Sequence, residues 1–221
     1  ALTRMATLYM QQWGGDALPL WRRVLKLEPA NIDARHAMTQ IYIERASDPD
    51  VYWRIYGKQP TAAKKIEMLE KGLSELPNSP ELLMAMGIVH LEDRKEGKAR
   101  QAMETAARYA AGNLPILTGL LHELLHVKGE ATVKELIPQV RAISGLRPGF
   151  WIDQAERVLE CELGEKWAET FVNQAIEMSA NKRGADSPAV TLLTAFEVCF
   201  NNDASKLAQK YEQLLRSQWP T

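Results

Sequence analysis

Apolar residues recur three and four positions apart along most of the chain, the spacing of a buried face on an α-helix. In residues 61–77, for example, Ile66, Leu69, Leu73 and Leu76 fall on one face. No segment alternates apolar and polar residues with the period of two that a half-buried strand needs. The hydrophobic pattern therefore predicts an all-α fold.

Glycine, proline and small polar residues mark where the helices begin and end. Ser79-Pro80 and Ser187-Pro188 each place a capping serine before a proline that is favoured in the first helical turn. These signals predict six antiparallel helix pairs in one domain covering residues 1–221. The pairs span residues 1–29, 31–77, 80–111, 114–148, 150–180 and 187–220, with an insertion at 47–60 inside the second pair.

Residues 80–111 carry the spacing of the tetratricopeptide pattern in both predicted helices. The matching positions are Leu83, Met86, Gly87 and His90 in the first helix, and Ala99 and Met103 in the second. The step from Pro77 to Ala111 is 34 residues, which equals the period of about 34 known for this repeat. The chain therefore resembles the tetratricopeptide repeat (TPR) family. That resemblance implies a right-handed α-α superhelix, a TPR-like solenoid that acts as a non-enzymatic protein-binding scaffold.

Small residues in this segment predict close packing between its two helices. Glycine inside a helix costs about 1 kcal/mol relative to alanine, so Gly87 indicates a neighbouring helix at short range. Ala99 and Ala106 lie seven residues apart on one face of the second helix and permit the same close approach.

The TPR resemblance also implies a binding site, because the first helices of successive TPR pairs line a concave groove. By helical spacing, the residues that face this groove are Asp33, His36, Gln40, Glu44, Glu81, Met84, Ile88, Glu92, Thr118, His122 and His126. The Lys, Arg and Asn clamp of TPR domains that bind chaperone C-terminal peptides is replaced here by acids, histidines and apolar residues. We therefore expect a protein or peptide partner that presents basic and apolar residues, and an acidic groove with few bases in it.

The insertion at 47–60 contains three aromatic residues, Tyr52, Trp53 and Tyr56. Tyr and Trp often anchor interfaces, so these rings could form a second binding surface. The alternative, which we favour, is that they pack back onto the first helix pairs, because large rings are mostly buried.

Composition narrows the function further. The 221 residues include 27 Lys and Arg against 28 Asp and Glu, mixed along the chain, so no basic stripe is present and direct nucleic-acid binding is not expected. The most apolar run is too short to span a membrane, and we expect a cytoplasmic protein. Because the sequence opens on Ala1 rather than Met, removal of a targeting or anchor segment stays open. Cys161 and Cys199 lack metal or redox spacing and are predicted as small core residues, with a disulfide between them as the alternative.

Two alternative functions come from other motifs. His122, Glu123 and His126 form an H-E-x-x-H sequence, which resembles the zinc metalloprotease signature and would make the protein a zinc hydrolase. No third ligand and no strand to align a substrate can be assigned, so we predict no catalytic residue, no metal and no cofactor. The second alternative is a scaffold of an RNA-processing assembly, since HAT repeats share this design and are rich in tryptophan. The tryptophans concerned are Trp21, Trp53, Trp151 and Trp167.

Overall fold

The structure is a computed structural model, and it describes residues 3–4, 17–48, 61–143 and 145–218. All regular structure in these residues is helical, so the predicted all-α class is confirmed for the described part of the chain. The helix predicted at residues 1–13 lies outside the described residues apart from 3–4. The insertion, with Tyr52, Trp53 and Tyr56, also lies outside them apart from residues 47–48.

The chain divides into two compact units, Ala1–Val140 and Arg141–Thr221. The described helices of the first unit are α1 (Leu18–Leu27), α2 (Ile32–Ser47), α3 (Ala62–Glu75), α4 (Pro80–Glu92), α5 (Glu96–Tyr109), α6 (Leu114–His126) and α7 (Glu130–Arg141). Helix α7 ends at the boundary between the units. Those of the second unit are α8 (Pro148–Glu160), α9 (Glu165–Ser179), a 3₁₀ helix (Gly184–Asp186), α10 (Pro188–Asn201) and α11 (Ser205–Gln218).

Among the described helices, five begin with a side-chain cap. Each capping side chain accepts a hydrogen bond from the backbone N–H three residues further on, which satisfies a donor that the first helical turn leaves free. The capping residues are Asn31, Thr61, Ser79, Asn113 and Ser187. The predicted Ser79 and Ser187 caps are thereby confirmed.

Four turns between consecutive helices share one backbone geometry. Arg94, Lys128, Glu162 and Asp203 all adopt a left-handed conformation, with φ between 54° and 57°. In each turn the next backbone N–H donates to the carbonyl five residues earlier, which is the Schellman ending of a helix. The first three of these turns are 34 residues apart and the fourth follows after 41. The described residues therefore contain the 34-residue period that the sequence predicted.

Packing within the third pair depends on small residues. A Cβ atom on Gly87 would lie 2.7 Å from Met103 Cγ and 3.2 Å from the carbonyl oxygen of Ala99, both on α5. Ala99 and Ala106 are fully buried. The predicted close approach of these two helices is thus confirmed, because a Cβ at Gly87 would force the Met103 side chain on α5 to shift.

A polar cluster that the sequence analysis missed joins α1, α2 and α3. Arg22 on α1 donates two hydrogen bonds of 2.7 Å to the Glu75 carboxylate on α3, and the Tyr42 hydroxyl on α2 donates to Glu75 Oε1 at 2.6 Å. The Arg22 guanidinium lowers the pKa of Glu75 below 4.5, while burial raises the pKa of the Tyr42 phenol from 10.0 to about 12. Three helices therefore share one ionic hydrogen-bond network.

Aromatic side chains fill the core of the second unit. The Trp151 ring on α8 lies 5.6 Å from the Phe171 ring on α9, centroid to centroid, and its Nε1–H points at Met178 Sδ, 3.1 Å away. Cys199 is buried, as predicted, but Cys161 is exposed. The expectation for Cys161 was wrong because this residue caps the C-terminus of α8, where the chain turns through solvent.

Replacement of Gly87 by leucine should destabilise the protein by roughly 1–3 kcal/mol, because the new side chain overpacks the contact with Met103 and Ala99. Gly97→Ala is the control, since no heavy atom lies within 4 Å of a Cβ at Gly97. Urea and thermal unfolding of both variants measure the effect. Equal stability of the two would show that the α4–α5 contact has been assigned to the wrong residues.

Glu75→Gln should lower the free energy of unfolding at neutral pH, because the Arg22 hydrogen bonds lose their charged acceptor. The loss should be about 1 kcal/mol, since this ion pair is partly exposed to solvent. The pKa of Glu75 is depressed in the folded state, so the wild-type advantage is complete above pH 4.5 and shrinks as pH falls through the folded pKa. Melting temperatures across this pH range test the sign. The control Glu70→Gln, at an exposed position on the same helix, should leave the melting temperature nearly unchanged at each pH. A Glu75→Gln melting temperature that lies below wild type by the same amount at every pH would contradict the ionic role.

Candidate functional site

Three first helices of predicted pairs lie side by side in the first unit. Helix α4 packs against α2 on one side and against α6 on the other. The eleven groove residues predicted from the sequence all lie on these helices. Ten of them are exposed or half-exposed, and we call these ten the first-helix face: Asp33, His36, Gln40, Glu44, Glu81, Met84, Ile88, Glu92, Thr118 and His126. The eleventh, His122, is buried, with 8% of its surface exposed.

A surface pocket of about 420 Å³ opens at the N-terminal ends of these helices. It brings together two predicted site residues, His36 on α2 and Glu81 on α4. The remaining lining residues are Ile32, Arg35, Thr39, Leu76, Pro77, Asn78, Ser79, Pro80 and Asn113. Arg35 and Thr39 were not predicted as site residues from the sequence, yet both line this pocket.

Glu81 links the beginnings of two helices. Its carboxylate accepts hydrogen bonds from Ser79 Oγ at 2.8 Å and from Asn113 Nδ2 at 3.1 Å. Ser79 and Asn113 are the N-caps of α4 and α6. Because both donors are uncharged, these contacts pair the Glu81 carboxylate with no base, while they tie it to the starts of both helices at the pocket wall.

The other predicted acids differ in how their charge is balanced. Glu92 forms an ion pair of 2.8 Å with Lys65 on α3, which corrects the expectation that few bases face the acids. That contact crosses from a second helix to a first helix, so residue spacing could not reveal it. Asp33 and Glu44 are exposed, and neither forms an ion pair with any residue that the structure describes. The negative charge of the first-helix face is therefore concentrated at Asp33, Glu44 and Glu81.

Apolar side chains lie between these acids. A Cβ on Gly119 of α6 would lie 3.1 Å from Met84 Sδ, so the Met84 side chain rests directly on the neighbouring helix. Ile88 follows one turn later and is half-exposed. Met84 and Ile88 together give α4 an apolar strip accessible to a ligand.

The H-E-x-x-H residues all lie on α6, but their environments differ. His122 is buried, Glu123 is half-exposed and His126 is exposed. Within the part of the chain that the structure describes, no three His, Cys, Asp or Glu side chains are grouped as a metal site requires. His90 is also buried, and burial together with Lys98 and Lys95 lowers its pKa. We find no support for a zinc hydrolase in this geometry.

The tryptophans of the RNA-processing alternative are core residues wherever they are described. Trp21, Trp151 and Trp167 are each at most 5% exposed, and Trp53 lies outside the described residues. Their abundance is therefore explained by packing. No described tryptophan is available to contact a partner.

The fold and the repeated turns define an all-α helical-repeat protein. Comparison with protein-family models finds no match, and comparison with curated protein sequences finds none either. Among solved structures, the chain is similar to a Pseudomonas aeruginosa pilF structure reported for functional characterization. The TM-score is 0.44 and the identity 17%, over 99% of this chain and 90% of that chain. A likeness at this level supports no statement about function. Within the described stretches, no helix has both the length and the apolar character needed to cross a bilayer.

We expect the purified protein to contain no stoichiometric zinc, because His122 is buried whereas His126 is exposed, and among the described residues no third ligand joins them. Elemental analysis after purification without chelators measures this directly. About one zinc per chain that is lost in His122→Ala would overturn the expectation and favour the hydrolase alternative.

Proposed function

We propose that this chain is a non-enzymatic protein-binding scaffold of the TPR-like type, and that its first-helix face binds a segment of a partner protein. The observation that carries the proposal is the side-by-side packing of α2, α4 and α6. This packing turns separate helices into one continuous surface, which is how helical-repeat proteins build extended binding sites. Ten predicted site residues on that surface are accessible to solvent.

The chemistry of the face indicates what it binds. Asp33, Glu44 and Glu81 supply negative charge, and Met84 with Ile88 supplies apolar contact area. A partner segment with Lys or Arg next to apolar anchors complements both features. The charged contacts should make the association rate and its salt dependence sensitive to these acids.

Several other properties of this chain are still predictions from its sequence. The single domain of six helix pairs, the cytoplasmic location and the absence of direct nucleic-acid contact stay predictions. So does a secondary surface at Tyr52, Trp53 and Tyr56. A binding role needs no catalytic residue and no cofactor, and we assign none.

The double variant Asp33→Lys/Glu44→Lys should lose most of its partner binding, because the changes put positive charge on α2 where a basic segment is to dock. The fold should persist, since both side chains are exposed and unpaired among the described residues. The matched control is Glu70→Lys/Glu135→Lys, which makes the same charge change on the second helices α3 and α7. Quantitative affinity pull-down with mass spectrometry compares the three proteins.

Photo-crosslinking locates the contact independently of charge. A benzoylphenylalanine at Ile88 should crosslink the same partner that the pull-down finds, whereas one at Glu70 should not. Unchanged binding of the α2 double variant, together with crosslinks only from Tyr52, Trp53 or Tyr56, would refute the first-helix face. That result would place the binding site on the aromatic insertion.

A further inference from the structure

The second unit carries an exposed apolar surface that the proposed function does not use. On α10, Val190, Leu193 and Phe200 are 40%, 47% and 67% exposed. Their spacing of three and seven residues places them on one side of the helix. The Phe196 ring lies 5.9 Å from the Phe200 ring, centroid to centroid, and extends the apolar area. Four large side chains on one solvent-facing helix exceed the scattered exposure usual for a monomer.

Helix α8 packs against α10 in the same unit. Both helices are followed by a turn with one residue in the left-handed conformation, which is Glu162 after α8 and Asp203 after α10. Positions 41 residues apart are therefore equivalent in the two helices. By this equivalence Glu156 corresponds to Glu197, and Leu159 corresponds to Phe200. Neighbouring helices in the same register present equivalent side chains on the same side. An acid and an apolar residue are therefore repeated side by side.

The acids of this surface are not neutralised within the described residues. The ion pairs of the second unit join Arg141 to Glu177, Lys210 to Glu169 and Arg216 to Glu212. Glu156, Glu160 and Glu197 take part in none of them. Helix α10 has no Lys or Arg of its own, and α8 has only Arg157. Each of the two helices thus places a glutamate next to its accessible apolar residues.

We propose that this face, formed by Glu156, Leu159, Val190, Leu193, Glu197 and Phe200, docks a basic amphipathic helix of a partner protein. The apolar side of the incoming helix covers Leu193 and Phe200, and its Lys or Arg side chains pair with Glu156 and Glu197. A second copy of this chain is a poorer occupant, because a two-fold contact of the face with itself would bring like charges together. The proposal is independent of the first-helix face, with which it shares no residue.

The probe is a synthetic peptide of about five helical turns, with leucines on one side and lysines on the other. Its binding is measured by fluorescence anisotropy both to the wild-type chain and to Asp33→Lys/Glu44→Lys, in which the first-helix face no longer attracts a basic segment. A matched peptide with glutamate in place of lysine is measured alongside. We expect the lysine peptide to bind and the glutamate peptide not to bind. The binding should weaken as sodium chloride rises, since exposed charges are screened.

Two double variants test the two halves of the face. Leu193→Ser/Phe200→Ser should weaken binding by about tenfold or more, because two buried apolar anchors are lost at the interface. Glu156→Gln/Glu197→Gln should weaken it several-fold and reduce its salt dependence. The control Leu27→Ser/Tyr109→Ser removes two exposed apolar residues of the first unit, 65% and 47% exposed, and should bind as wild type does. Circular dichroism confirms that each variant is folded.

Either of two results would overturn the proposal. One is equal binding of the lysine peptide to wild type, to Leu193→Ser/Phe200→Ser and to Glu156→Gln/Glu197→Gln, which would mean that the peptide binds elsewhere. The other is a wild-type dimer in sedimentation velocity that Leu193→Ser/Phe200→Ser converts to monomer, because a second copy would then be the occupant. Neither result bears on the crosslinks from Ile88, so the two binding proposals fail separately.

Discussion

The left-handed turn between paired helices is the constraint on which the rest of this structure depends. A residue with a side chain pays roughly 1–2 kcal/mol to adopt this conformation, yet Arg94, Lys128, Glu162 and Asp203 all do so. The hydrogen bonds that close each turn offset this cost by satisfying carbonyls that the helix end leaves free. Once the turn is fixed, the second helix must return alongside the first, and each pair acquires the same register.

Close packing within a pair then decides which side chains stay accessible. Gly87 lets α4 approach Met103 on α5, so one side of α4 is fully used by its own partner. Other sides of α4 contact α2 and α6, and only the remaining side of the helix faces solvent. On α4 this remainder includes Met84 and Ile88, and on α10 it includes Leu193 and Phe200. Both candidate binding surfaces thus have the same physical origin, although each lies within its own unit.

Polar contacts between helices were the least predictable part of the structure. The Arg22–Tyr42–Glu75 cluster joins residues up to 53 positions apart, and the Glu92–Lys65 pair joins residues 27 apart. Neither separation matches the spacing of a helix or of the repeat. Sequence spacing therefore gave no sign of the base that pairs with Glu92, or of the contacts that Glu75 makes.

The sequence alone determined the all-α class, the 34-residue period, the caps at Ser79 and Ser187 and the need for space at Gly87. These properties depend on local backbone preference and on helical spacing, both of which can be seen within one or two helices. Only the tertiary structure decided that His122 is buried while His126 is exposed, and that the side chain of Glu81 spans two helix caps. Burial and charge compensation depend on which neighbouring helix arrives and at what distance, and that information is spread over residues far apart in the chain.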